Sequence, residues 1–255
     1  MQARIVGAAR GARWLAEGWR LFRGAPLGWL AAVFAYWILM TLISVVPVIG
    51  VAAAAVLVPA FSVGFLAIAR ATARGSRADL ALLFDGLRQE PRAQLALGVV
   101  YLACIALLLG ASTLADDGAL ARWMLIGKRP AAEVMQSDGF LAALLLAGLL
   151  YLPVMAAFWF APPLAAWHSI GPAKALFFSL AASLMNWRAF AAYGAVAALV
   201  TLVIPFAALA LLTLSGALPF PAAAMVFPLL FILLPTLFAS FYASYRDVFG
   251  YDAAP

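Results

Sequence analysis

Chemistry inside a membrane needs side chains that titrate, attack or ligate, and this chain holds few of them. It has one histidine, His168, one cysteine, Cys104, and two adjacent acids, Asp116 and Asp117. As a base or ligand, His168 would need a second group, and Ser169 merely adjoins it in sequence. Asp116 and Asp117 are neighbours in a polar stretch, which points their carboxylates apart. Cys104 lies inside an apolar run and has no second thiol to pair with. No phosphate loop, dinucleotide fingerprint, zinc spacing or EF-hand loop occurs. These residues point away from an enzyme, a metal site or a cofactor. Asn186 and Arg188 suit recognition better. An Asn at a bilayer boundary caps a helix or bridges spans, and an Arg there holds a lipid phosphate.

The elements that must carry these groups follow from composition. The chain has 255 residues, 67% hydrophobic and only 10% charged, with mean hydropathy +1.07. A soluble domain carries about 25% charged residues; a bilayer is the solvent that tolerates so much apolar surface. Six apolar runs read as spans, at about 27–46, 49–69, 93–113, 139–161, 189–212 and 223–243, and none contains Asp, Glu, Lys, Arg or His. Intramembrane ionisable groups mark proton relays and ion paths, so a proton-coupled carrier is disfavoured. The expected fold is all-α, a single integral membrane domain over 1–255.

Three stretches read as helices lying on the membrane. Residues 1–25 carry five arginines and one acid, Glu17, with Leu15, Trp19 and Phe22 on one helical face. Residues 78–90 place Leu80, Leu83, Phe84 and Leu87 on one face and end before Pro91. Residues 164–186 follow a Pro162-Pro163 exit from the fourth span. Between the third and fourth spans, 114–138 is the longest polar loop.

Charge bias sets the orientation. The termini and even-numbered connections hold 13 of the 16 Lys and Arg residues; the other face holds Arg122, Lys128 and Arg129. Both termini are therefore expected in the cytoplasm of a bacterial inner-membrane protein. The basic excess lies beside membrane segments, which favours lipid headgroups over nucleic acid.

The spans suggest three pseudo-repeated hairpins. Each inward span has a proline, Pro59, Pro153 or Pro235, followed six residues later by Phe65, Trp159 or Phe241. Arg70 and Arg246 close two of them, while the third has His168 nearby. A proline frees a helix carbonyl, which neighbouring helices must satisfy. Three helices kinked at similar depth would splay around an aromatic vestibule lined by Phe61, Phe65, Phe158, Trp159, Phe160, Phe238, Phe241 and Tyr242.

The runs GWRLFRGAP (18–26), FAPPLAAWH (160–168), KALFFSL (174–180) and NWRAF (186–190) resemble an uncharacterised family of proteobacterial inner-membrane proteins. That family is similar to the membrane domain of glycerophosphodiester phosphodiesterases. The resemblance implies a six-helix membrane domain without an established activity, and it brings no catalytic residues. The expected function is a non-enzymatic protein that handles or transports lipid or another apolar molecule through the cytoplasm-facing vestibule. Phe65, Trp159, His168, Asn186, Arg188, Phe241 and Arg246 are the expected contacts. The alternative is a scaffold subunit of a larger membrane complex, with other membrane-protein subunits as partners.

Overall fold

The computed structural model describes residues 2–203, 205, 206, 210 and 223–250, the last segment's side chains from Ile232 onward. Among these residues the chain is helix and turn, without a strand. In order, the helices are α1 (Ala8–Gly24), α2 (Pro26–Ser44), α3 (Ile49–Ala73), α4 (Asp85–Gln89), α5 (Pro91–Asp116), α6 (Ala119–Ile126), α7 (Ala132–Met135), α8 (Asp138–His168), α9 (Pro172–Met185), α10 (Trp187–Ala198) and α11 (Ala223–Phe249). A 3-10 turn, Leu80–Phe84, precedes α4, and a π-helical turn, Leu199–Val203, extends α10.

Four helices, α2, α3, α5 and α8, are long and apolar enough to cross a membrane. They carry the first four expected spans. Their outward surfaces are apolar: Leu107, Leu114, Leu145 and Leu149 are each at least 66% exposed. Such a surface is unstable in water and at home in lipid. A bent pair, α9 and α10 with its π turn, makes a fifth candidate, its halves meeting at 80°. Of the fifth expected span, residues 204, 207–209 and 211–212 fall outside the described residues, as does the connection at 215–219. The stretch expected as the sixth span, 223–243, is helical within α11.

The chain divides into two compact units. One comprises Met1–Phe34, Gly64–Leu83 and Ala182–Pro255; the other comprises Ala35–Val63 and Phe84–Ala181.

The second unit is built on α5 against α8, and glycine sets its close contacts. A Cβ on Gly98 would sit 1.9 Å from the Val56 carbonyl oxygen, and one on Gly86 would sit 2.3 Å from that of Ala60. Only a residue without Cβ admits backbone so near.

Four sequence expectations give way in this fold. Helix α8 does not leave at Pro162-Pro163 but continues to His168, 31 residues in all, about 46 Å at 1.5 Å per residue. Two side chains bond to its backbone close to Pro162 and Pro163. Gln94 of α5, fully buried, donates Nε2–H to the Pro162 carbonyl at 2.9 Å. The Ser179 hydroxyl accepts from the Phe160 N–H at 2.9 Å and donates to the Ala156 carbonyl at 2.9 Å. It stands between two groups that an undistorted helix joins directly, a known cause of bending.

The expected surface helix 164–186 is accordingly shorter, and its outward face is not polar. On α9, Ala175, Ser179, Ala182 and Ser183 are buried, while Phe177 is 66% and Leu184 62% exposed. Small residues inward with large apolar residues outward is the pattern of a helix packed within lipid. The expected helix 78–90 becomes the 3-10 turn plus α4. Asp79 Oδ1 accepts the Ala81 N–H at 2.9 Å, which starts the tight turn, and of the expected apolar face only Leu83 is fully buried.

The stretch 114–138 is a folded cap rather than a polar loop. Asp116 accepts the Gly118 N–H at 2.9 Å and the Leu120 N–H at 2.6 Å, which starts α6. Asp117 and Gly118 take positive φ, 52° and 80°. Leu120 and Phe140 are each 3% exposed and share a small apolar core with Leu108, Leu109 and Ala143. Ser137 caps α8 by accepting the Phe140 N–H.

Candidate functional site

The first unit contains the densest arrangement of charge in the described chain, organised by α1. Its sequence, AARGARWLAEGWRLFRG, buries Gly11, Trp14, Leu15, Glu17, Gly18 and Phe22 along one stripe. Of the expected lipid-facing side, Leu15 and Phe22 are therefore turned into protein, while Trp19 stays exposed. Glycine again decides the approach. A Cβ on Gly11 would lie 2.0 Å from the Ala189 carbonyl oxygen of α10, and one on Gly18 2.3 Å from that of Thr236 in α11. Trp14, fully buried, packs edge-on against Phe190 at 5.4 Å and beside Tyr193 at 5.8 Å.

Beneath α1 lies an ion cluster. Arg10 binds Asp247 through Nε at 2.5 Å and Nη2 at 2.8 Å, a bidentate fork. The Trp14 indole N–H donates to the same carboxylate at 2.8 Å. Arg10 also reaches Glu17 at 2.8 Å, and Arg246 binds Glu17 at 2.5 Å. The carboxylate side chains are only 7% (Glu17) and 9% (Asp247) exposed. Burying two carboxylates costs several kcal/mol each unless cations and hydrogen bonds surround them; three arginines do so, counting Arg20 at 3.6 Å from Glu17. The hydrogen bonds to Asp247 hold the Arg10 guanidinium above its ordinary pKa despite partial burial.

The segment before α1 is stitched down as well. Asn186, 1% exposed, accepts the Val6 N–H at 2.7 Å. It donates to the carbonyls of Arg4 at 3.0 Å and Ala182 at 2.9 Å. The Arg4 N–H donates to the Val248 carbonyl at 2.7 Å. Asn186 stands at the N-cap position of α10 but makes no side-chain cap bond there; its amide is used to bind another segment.

With its acid turned inward, α1 shows the outside Arg13, Trp19, Arg20 and Arg23. The Arg23 guanidinium lies 5.5 Å from the centre of the Trp19 ring, a cation–π contact.

Of the residues expected from sequence, five fall in this unit: Phe65, Asn186, Arg188, Phe241 and Arg246. Phe65, 1% exposed, stacks on Phe238 at 4.1 Å, and Phe238 meets Phe241 edge-on at 6.1 Å. Within this unit these rings pack on one another. Arg246 is bound to Glu17. Arg188 is exposed and lies 5.4 Å over the Trp187 ring. Trp159 and His168 belong to the other unit. Both are half-buried in α8, His168 as its last residue before the left-handed Ser169. Sequence reasoning missed Glu17, Asp247 and Trp14. The available signal was one acid among five arginines, three residues after Trp14 and seven after Arg10, hence on their helical face.

The chain is 38% identical to a probable inner membrane protein of Burkholderia thailandensis, over 98% of this chain and 94% of that protein. The chain belongs to this inner-membrane protein family. With its several apolar helices, this family member is a multi-pass protein of the inner membrane. No family model matches the chain, and no solved structure matches it. The likeness to the membrane domain of glycerophosphodiester phosphodiesterases has no support in these comparisons.

Proposed function

We propose that this inner-membrane protein is non-enzymatic and engages membrane lipid, handling or organising it at the cytoplasmic leaflet. The observation that carries the reading is the division of charge on α1. Its acid is buried against Arg10 and Arg246, while Arg13, Arg20 and Arg23 face outward with Trp19. A fixed helix with cations and an indole on its free side suits the phosphate layer of an anionic leaflet. The same reading places both termini in the cytoplasm, and a periplasm-specific reporter giving signal from either end would overturn that orientation.

Each arginine near an anionic surface contributes about 1 kcal/mol. Replacing all three (Arg13→Gln, Arg20→Gln, Arg23→Gln) should therefore lower the enrichment of phosphatidylglycerol over phosphatidylcholine on purified protein at least roughly tenfold. Mass spectrometry of co-purified lipid measures this. Unchanged enrichment removes the reading. A stoichiometric membrane-protein partner retained in mild detergent, without lipid enrichment, would favour the scaffold role instead.

A further inference from the structure

The cap between α5 and α8 holds a pocket of about 690 Å³, within the 300–1,000 Å³ range of small-ligand sites. Its lining includes Ala115 at the end of α5 and Gly139 at the start of α8. The lining carries both signs of charge: Arg122, Lys128 and Arg129 with Asp117 and Glu133.

Two features make this a shaped site rather than a charged surface. The first is its support. Its lining residue Ala119 belongs to the core of Leu120 and Phe140. Its first turn is fixed by both oxygens of Asp116 and by the Arg122 Nη1–H donated to the Asp117 carbonyl at 2.8 Å. The second is the state of its charges. Among the described residues, Lys128, Arg129 and Glu133 make no ion pair or hydrogen bond through their side chains, although they line one pocket. Opposite charges held around a cavity without joining leave room for a molecule that carries both.

We infer that this pocket binds a phosphate-and-ammonium zwitterion, the chemistry of a phosphoethanolamine headgroup. Arg122, Lys128 and Arg129 take the phosphate; Asp117 and Glu133 take the ammonium by charge-assisted hydrogen bonds. Ala115 and Gly139 lie at the ends of membrane-length helices, which puts the cavity at headgroup level. By the charge bias of the connections this is the periplasmic side. The inference stands apart from the α1 face and uses none of its residues.

The test uses the full chain in phosphatidylcholine nanodiscs with phosphatidylethanolamine added, and reads retained lipid by native mass spectrometry. Phosphatidylethanolamine should be retained over phosphatidylcholine, whose methylated ammonium has no N–H to give Glu133. Lys128→Ala with Arg129→Ala should reduce its retention about tenfold. Glu133→Gln should reduce the preference for phosphatidylethanolamine over phosphatidylcholine. All three residues are exposed, and an unchanged unfolding midpoint in both variants separates lost binding from lost fold. Soluble phosphoethanolamine, titrated into protein in phosphatidylcholine alone, distinguishes the source: saturable binding lost in the double variant keeps the site and assigns it a soluble ligand. No preference for phosphatidylethanolamine together with no binding of phosphoethanolamine overturns the inference, as does a preference unmoved by both variants.

Discussion

Replacing Asp247 with Ala should destabilise the protein by about 2–4 kcal/mol, read as a lower thermal unfolding midpoint in detergent. The variant strips Arg10 of its fork and leaves the Trp14 indole N–H without an acceptor in a fully buried site. Removing one member of a buried pair costs about 3–5 kcal/mol. The lower figure applies here because the Arg10 side chain is 37% exposed and water partly compensates it. Asp247→Asn should fall between the two, since it keeps an acceptor for Trp14 and loses the charge. A cycle of Glu17→Gln and Arg246→Gln should show coupling of at least about 1 kcal/mol. An unchanged midpoint in Asp247→Ala would mean that the cluster does not hold α1 in place.

Gly98→Ala should be comparably damaging, for a reason of shape alone. The added methyl would lie 1.9 Å from the Val56 carbonyl oxygen. A backbone carbonyl cannot rotate aside, so α5 and α3 must separate along the contact. Overpacking of this kind costs about 1–3 kcal/mol and sometimes more. The control lies on the same helix. A Cβ added at Gly110 would meet nothing within 4 Å, and Gly110→Ala should be neutral or stabilising by roughly 0.5–1 kcal/mol, because alanine relieves the helix cost of glycine. Unfolding midpoints of the two variants moving together would refute the close-approach explanation.

Some of this was legible in the sequence and some could not have been. The first four apolar runs became α2, α3, α5 and α8 within a few residues at most of their ends, because bilayer thickness sets span length independently of tertiary detail. The fourth ran seven residues longer than expected. Its Pro162-Pro163 reads locally as an exit, and the side chains that bond the helix backbone there, Gln94 and Ser179, stand 68 and 19 residues from their partners. The amphipathic pattern of α1 was visible, but not what its inner face meets. Periodicity reports that a face is buried and does not say whether lipid or protein covers it. Arg246 was singled out for its place after an aromatic span, while its partner Glu17 is 229 residues away and no local pattern joins them.

That separation has a consequence for how the protein is made. Arg10 and Asp247 are 237 residues apart, and chain synthesis at about 5–20 residues per second delivers the second roughly 10–50 s after the first. During that interval α1 exists without the carboxylate that anchors it, and Glu17 without Arg246. Docking of α1 is thus a late event, a latch that closes only once Asp247 has emerged. Chains stalled before residue 240 should expose the region around Trp14 to protease, and chains extending past Asp247 should protect it.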